Sequence, residues 1–189
     1  MTSGGGNWFV PGVFQVVLNS LACSSYLQPM RMEKKIVPFL WFDDNAEEAA
    51  KFYVSIFKNS KLLSINYYPP ESGGKEGKVM IVKFELDGEE IVALNGGPHF
   101  ALSEAFSFWV KCDTQEEIDY FWERLSEGGE KSECGWLKDK FGLSWQIVPS
   151  SIEQWISEED PERKNRVLKA VWQMQKLDLK TLEKAYRGE

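Results

Sequence analysis

The chain has 189 residues, of which 27% are charged and 43% are hydrophobic, and its net charge is −7. This composition is typical of a globular domain that is long enough to bury a sizeable core. The acidic balance, with lysines and arginines interspersed among acidic residues, excludes the basic footprint of a nucleic-acid-binding protein.

The cysteine and histidine content limits which disulfides, metal sites and catalytic sites the chain can form. Cys23, Cys112 and Cys134 are too few and too scattered for a disulfide framework, and no Cys-x-x-Cys pair occurs. This usage fits a reducing compartment, so we expect a cytoplasmic protein. The single histidine, His99, excludes a His-rich zinc site and allows a Ser-His-Asp triad only if that residue serves it.

Residues 1–31 differ in composition from the rest of the chain. They are apolar and nearly uncharged, and Pro11 and Gly12 interrupt their most apolar part. No lysine or arginine precedes that part, as a signal peptide would require, and it is too short for a transmembrane helix. We interpret residues 1–31 as a disordered leader, with Met32 as the natural beginning. An export signal and an ordered extra segment are the alternatives.

The first regular half predicts a strand, a helix, a strand, a loop and a hairpin, over residues 35–42, 46–57, 60–68, 69–78 and 79–95. Asp44 and Asn45 offer a helix N-cap, and Glu47 and Glu48 follow in the first turn. The two strands of the hairpin are joined by a tight turn at Asp87–Gly88.

The same order recurs in the second half. A strand over 105–112 precedes a helix over 115–129, and short strands follow up to residue 149. When Asn45 is aligned with Thr114, the acidic pairs of the two helices coincide. When the hairpin turns are aligned, Val92 falls on Gln146. Agreement in element order, cap, acidic pair and terminal hairpin indicates an internal repeat rather than a chance similarity.

The last strand of the second half alternates strictly. Its odd-numbered residues from Leu143 to Ile147 share one face, and its even-numbered residues from Ser144 to Val148 share the other. One half cannot bury its sheet alone. We therefore expect an α+β fold whose two sheets join into one curved sheet, with the helices outside and a cleft inside. The odd-numbered face would meet a helix, and the even-numbered face would look into the cleft.

Residues 151–189 predict a helical tail. Asp160 caps one helix, whose apolar stripe runs from Val167 to Met174, and Asp178 starts a second helix. A stripe of this strength must be covered, either by the chain's own sheet or by a partner subunit. We expect a homodimer.

The repeat resembles a known superfamily, because two βαβββ modules are the mark of the vicinal oxygen chelate proteins. Within it, the segments "PFLWFDDNAEEAAKFY", "ALNGGPHF" and "CGWLKDKFGLSWQIVP" resemble the PhnB-like group, often labelled 3-demethylubiquinone-9 3-methyltransferase-like. The resemblance runs from about residue 35 to residue 174. It implies the glyoxalase/bleomycin resistance/dioxygenase fold over 32–150, with modules at about 35–95 and 105–149. Methyl transfer itself has no visible donor site, since no glycine-rich loop follows a first parallel strand.

The resemblance also implies four metal-ligand positions, which fall on Val37, Val92, Ser107 and Gln146. Valine has no donor atom, serine is a weak ligand, and one neutral amide oxygen will not hold a divalent ion. We therefore expect neither a metal nor a cofactor in the cleft.

The predicted cleft is aromatic and polar. Its candidate ligand-binding residues are Phe39, Trp41, Glu90, Ser107, Trp109 and Gln146, with Trp136 near the mouth and His99 in the joining loop. Five of them have a plain structural alternative: a sealed core for Trp41 and Trp109, a solvated strand position for Glu90, a loop histidine for His99, and a hydrogen bond to Ser107 for Gln146.

Three functions remain open. The first is a binding protein that sequesters a small molecule, and the second is a metal-independent isomerase, lyase or transferase. The third is a structural dimer without a ligand. An enzyme needs a positioned acid or base, for which only Glu90, His99, Lys111 and Asp139 are candidates. A binding protein needs only aromatic walls and a few polar groups, so we favour that interpretation. No particular ligand or reaction is implied.

Overall fold

The computed structural model describes residues 34–189, so the predicted leader at 1–31 lies outside the described residues. Residues 37–189 form one compact unit. Its strands are β1 Phe39–Phe42, β2 Lys61–Tyr67, β3 Val79–Leu86, β4 Glu89–Asn95, β5 Ser107–Cys112, β6 Glu130–Lys131, β7 Trp136–Lys138 and β8 Ser144–Pro149. Its helices are α1 Ala46–Ile56, α2 Gln115–Ser126, α3 Ile152–Ile156, α4 Pro161–Val171 and α5 Leu179–Arg187. None of these helices has the length and apolarity needed to cross a membrane.

The strands form two four-stranded mixed sheets of the same design. Sheet 1 has the order β1-β4-β3-β2, and sheet 2 has the order β5-β8-β7-β6. In each, the first and last strands of the module run parallel. Val92 lies opposite Phe39, and Gln146 lies opposite Trp109, so the positions aligned by sequence are structurally equivalent. The α+β class and the repeated module are confirmed.

The helix caps show what the sequence revealed and what it did not. At α2 the prediction holds: Thr114 Oγ1 accepts from the Glu117 backbone N–H at 3.2 Å, and the Glu117 carboxylate accepts from the Asp113 N–H at 2.8 Å. At α1, the side chain of Asn45 makes no cap bond. Asn95 at the end of β4 instead accepts from the Ala46 N–H at 2.8 Å. The partners are far apart in sequence, so local pattern could not reveal this cap.

The two helices lie between the two sheets and join them into one core. Tyr53 of α1 contacts Phe84 of sheet 1, with ring centroids 6.2 Å apart, and Trp145 of sheet 2, at 5.3 Å. Phe57 stacks on Phe121 of α2 at 4.9 Å. The two sheets are not closed into one within the described residues. Module 2 buries the aromatic face of α1, so both sheets share one core.

The buried faces follow the predicted alternation. Leu143, Trp145 and Ile147 are at most 1% exposed and belong to this shared core. The opposite faces of both sheets point away from it. The candidate ligand-binding residues other than His99 lie on those outward faces.

Asp139 is the polar centre of the shared core. It is 3% exposed, and its carboxylate accepts from the N–H groups of Phe141 at 2.8 Å and Leu143 at 3.1 Å, and from Trp145 Nε1 at 2.8 Å. Burial raises the pKa of Asp139 above its usual value, although these hydrogen bonds oppose the shift. Burial and the nearby Asp139 charge together raise the pKa of Tyr53 well above its usual value. The Tyr53 hydroxyl has no well-formed hydrogen bond to any of the described residues.

The C-terminal helices form a second, smaller core on the outward face of sheet 2. Val167 of α4 and Leu182 of α5 are fully buried with Trp155 of α3 against Val148 of β8. The chain itself thus covers the stripe at Val167, and that residue gives no reason for a partner subunit. The predicted caps are confirmed: Asp160 accepts from the Glu162 N–H at 2.9 Å, and Asp178 caps α5.

Replacing Asp139 with asparagine should lower the free energy of unfolding by about 1–3 kcal/mol, because the amide turns donors toward the Trp145 N–H and leaves it unpaired. Urea unfolding of the two proteins measures this loss. Asp87→Asn, in an exposed turn, is the matched control and should change stability by less than about 0.5 kcal/mol. The loss should shrink in a Trp145→Phe background. An equal loss in both backgrounds would contradict this role of the Trp145 bond.

Candidate functional site

The outward face of sheet 2 brings four of the predicted site residues together. The strand register places Trp109 of β5 and Trp136 of β7 on either side of Gln146 of β8. Ser107 lies two residues before Trp109 on the same face. These four side chains therefore share one surface across three neighbouring strands.

Gln146 is paired within this face. Its Nε2 donates to Ser107 Oγ at 2.8 Å, which is the structural alternative that the sequence left open. The bond uses one amide proton and one lone pair of the serine. The amide oxygen and the serine hydroxyl proton make no further hydrogen bond within the described part of the chain, and both can serve a ligand or a water molecule.

Trp109 offers an open aromatic surface beside this pair. Its side chain is 43% exposed, and Lys111 Nζ lies 5.9 Å from its ring centroid. Lys111 is held in turn by Glu153 of α3, with Nζ and Oε2 2.8 Å apart. The C-terminal tail therefore contributes to the outward face of sheet 2, which the sequence did not indicate.

The remaining candidates from the first module lie on the outward face of sheet 1. Phe39 is 57% exposed, and Glu90 forms an ion pair with Lys83 at 3.2 Å. Trp41 is different, because its indole Nε1 donates to the carbonyl of Gly97 at 2.8 Å and its ring meets Phe100 edge-on at 5.0 Å. Trp41 thus fastens the joining loop to sheet 1 rather than standing free as a stacking wall.

The two groups of candidates do not face each other within one chain. The helices and the buried sheet faces occupy the space between the modules, so each outward face is half of the predicted cleft. A cavity of about 800 Å³ lies instead beside the edge of β5, between the β3–β4 hairpin and α2. Its aromatic lining consists of Phe57, Phe108, Trp109, Tyr120, Phe121 and Trp145.

The candidate acids and bases are mostly engaged elsewhere. Glu90 and Lys111 sit in ion pairs, and Asp139 is buried with three donors. His99 is exposed in the joining loop. Neither described thiol is activated: burial and nearby acidic charges raise the pKa of Cys112 to about 12, and burial also raises the pKa of Cys134. The arrangement suits binding better than proton transfer.

The four implied metal positions do not fit a divalent cation. Val37 and Val92 offer no donor atom, and Ser107 and Gln146 are hydrogen-bonded to each other. No group of three or more His, Cys, Asp or Glu side chains within residues 34–189 is placed to hold a metal ion. The donor set present is one hydroxyl and one amide, which is insufficient for such an ion.

Comparison with known proteins places this geometry in context. A family model described as 3-demethylubiquinone-9 3-methyltransferase matches residues 34–148. A structure from Bacillus cereus, described as 3-demethylubiquinone-9 3-methyltransferase, PhnB protein, is 37% identical. Its TM-score is 0.56, over 61% of this chain and 99% of that one. No curated protein matches the sequence.

Two more distant structures also match the chain. A protein from Pseudomonas aeruginosa is 22% identical with a TM-score of 0.53, over 62% of this chain and 97% of that one. The fosfomycin resistance protein FosX from Listeria monocytogenes is 19% identical with a TM-score of 0.47, over 65% of this chain and 96% of that one.

Gly96→Ala should destabilise the protein by about 1–3 kcal/mol, because overpacking of this kind forces neighbouring groups to move. A Cβ at this position would lie 2.1 Å from Cζ2 of Trp41. Displacement of the ring should also break its bond to Gly97 and shift tryptophan emission to longer wavelength. Thermal melts and emission spectra measure both effects. The penalty should fall in a Trp41→Phe background, and unchanged stability with unchanged emission would contradict the contact.

Proposed function

Since the chain belongs to the 3-demethylubiquinone-9 3-methyltransferase family, the PhnB-like group of the glyoxalase/bleomycin resistance superfamily, we propose that it is a small-molecule-binding protein with a metal-free, aromatic-lined cleft. One observation carries this proposal. The outward face of sheet 2 combines the half-exposed ring of Trp109 with the unused hydrogen-bonding capacity of Ser107 and Gln146. A flat ligand can stack on the ring and bond to the polar pair.

Binding is favoured over catalysis by the state of the ionisable groups. A general base must be free to reach the proton that it removes. Glu90, Lys111 and Asp139 each have a partner that holds the side chain in place. Ser107 and Gln146, which take part in no ion pair, are neutral, and neutral hydroxyl and amide groups orient a ligand without changing it.

The alternative is a metal-independent isomerase, lyase or transferase acting on a small molecule. The exposed imidazole of His99 favours it, because this loop is fastened to sheet 1 through Trp41. Methyl transfer, which the family description names, has less support. Neither sheet has the parallel, doubly wound order that commonly binds a nucleotide-derived donor.

Native mass spectrometry of protein purified from its own host should reveal a retained small molecule. Gln146→Leu should then weaken its binding about 3- to 10-fold, the scale of one lost hydrogen bond, and leave folding nearly intact. Gln173→Leu, at an exposed position of the tail, is the matched control and should bind normally. Added Zn²⁺ or Mn²⁺ should not raise the melting temperature. A tightly held stoichiometric metal bound through Gln146 would instead favour the enzyme.

The cleft also requires a second chain in this proposal. Within residues 34–189, sheet 1 and sheet 2 each have an open edge at the first strand of the module, because β1 pairs only with β4 and β5 only with β8. Half-exposed aromatic side chains, Phe39 and Trp109, lie on these edge strands. We propose that sheet 1 of one copy meets sheet 2 of a second copy in a homodimer, so that the two outward faces enclose the cleft.

Light scattering at micromolar concentration should report about twice the chain mass of 21.7 kDa. Trp109→Glu should shift the protein toward the monomer, because it places a charge on the interface. Trp172→Glu is the matched control, since Trp172 is 64% exposed on the tail and belongs to neither edge strand. A wild-type monomer that persists at high concentration would rule out this dimer.

A further inference from the structure

Ser144 is a residue that the packing of sheet 2 does not explain. It is 1% exposed, and its hydroxyl has no hydrogen-bond partner among the described residues. A buried hydroxyl without a partner is destabilising, and native proteins hold few of them. Alanine would fill the same position without this penalty. The hydroxyl therefore points to a partner that the chain itself does not supply.

Ser144 lies in the middle of a row of donors that crosses three strands. The register places Ser107 of β5 on one side of it and Lys138 of β7 on the other. Neighbouring strands are about 4.8 Å apart, so one small group can reach adjacent members of the row. Ser107 accepts its bond from Gln146, so its own hydroxyl proton remains free. The row offers two hydroxyl protons and one ammonium group.

The ammonium group at the end of the row is held by a carboxylate of the joining loop. Lys138 forms an ion pair and a hydrogen bond with Glu104. That bond lowers the pKa of Glu104 and raises the pKa of Lys138, so both groups are charged at neutral pH. The side chains are 32% and 63% exposed for Lys138 and Glu104. Ion pairs at such exposure contribute little to stability, so another carboxylate can replace Glu104.

Two members of the row, Ser144 and Lys138, line a cavity of about 470 Å³ together with Glu104 and Trp136. Trp136 supplies an aromatic wall. Glu130, Lys131 and Glu133 also line the cavity. Lys131 is paired with Glu123 at 2.9 Å, so the two carboxylates limit the negative charge that the cavity accepts. The electrostatics thus favour a ligand with a single anionic group directed at Lys138.

We propose that Ser107, Ser144 and Lys138 form a subsite for the carboxylate of a small aromatic acid, and that Glu104 occupies this subsite in the free protein. The ligand carboxylate replaces that of Glu104 at Lys138 and accepts a hydrogen bond from the Ser144 hydroxyl. The aromatic ring lies toward Trp136 and Trp109. This inference rests on the proposed binding function and specifies the chemical class of the ligand.

The test uses three probes in NMR titrations of the full chain at neutral pH. Benzoate carries ring and carboxylate, benzyl alcohol carries the ring alone, and acetate carries the carboxylate alone. Benzoate should shift the amide signals of Ser144 and Lys138 and bind at least about 5-fold more tightly than benzyl alcohol. Glu104→Gln should tighten benzoate about 3-fold or more, because it removes the competing carboxylate, and leave benzyl alcohol unchanged.

Two variants provide controls. Glu48→Gln removes a carboxylate from another exposed ion pair, that of Glu48 with Lys140, and should not affect any probe. Ser144→Ala should weaken benzoate while keeping or raising the melting temperature, because the unpaired hydroxyl is removed. Weaker binding in a protein of undiminished stability cannot be attributed to unfolding.

The outcomes separate this inference from the proposed function. Equal binding of benzoate and benzyl alcohol, with no effect of Glu104→Gln, would overturn the carboxylate subsite and leave an aromatic binding face. Acetate binding at Ser144 that tightens in Glu104→Gln, without any response to the ring of benzoate or benzyl alcohol, would support the subsite and argue against the aromatic cleft. No response to any of the three probes would overturn the inference.

Discussion

The aromatic contact between Tyr53 and Trp145 determines how the two modules are arranged. Each βαβββ module could bury its helix against its own sheet, but α1 carries aromatic side chains on more than one side. Tyr53 reaches both Phe84 of its own sheet and Trp145 of the other. Asp139 fixes the indole of Trp145 in this position through a hydrogen bond in a buried setting. Because the helices are enclosed, the other face of each sheet must turn outward, and the candidate site lies there.

The sequence predicted the modules because their signals are local. Residues close together in the chain produce these signals: the alternation in β8, the caps of α2, α4 and α5, and the alignment of Val92 with Gln146. The arrangement of the modules depends on which distant aromatic side chains pack together, and no periodicity reports that. Asn95 is an example. It caps α1 from the end of β4, but in the sequence its position indicates only a strand residue.

The sequence predicted which side of a strand the candidate residues occupy better than it predicted their contacts. Strand alternation placed Ser107, Trp109 and Gln146 on one face, and Trp136, which was expected near the mouth of the cleft, lies on that face as well. Trp41 was expected to line the cleft, yet its N–H bonds to the joining loop; the adjacent Gly96, where any side chain would meet the ring, was the available signal. The engagement of Glu90 and Lys111 in ion pairs required side-chain positions that only the structure provides.

The C-terminal tail packs against one end of the outward face of sheet 2. The matched family region ends at residue 148, and the helices that follow pack on Val148 and hold Lys111. Both residues lie at the carboxyl ends of the parallel strands β5 and β8, two positions beyond Trp109 and Gln146. These helices therefore cover the outward face of sheet 2 at the carboxyl ends of β5 and β8. In the proposed binding function, the tail sets a boundary at that end for a ligand that lies along the strands.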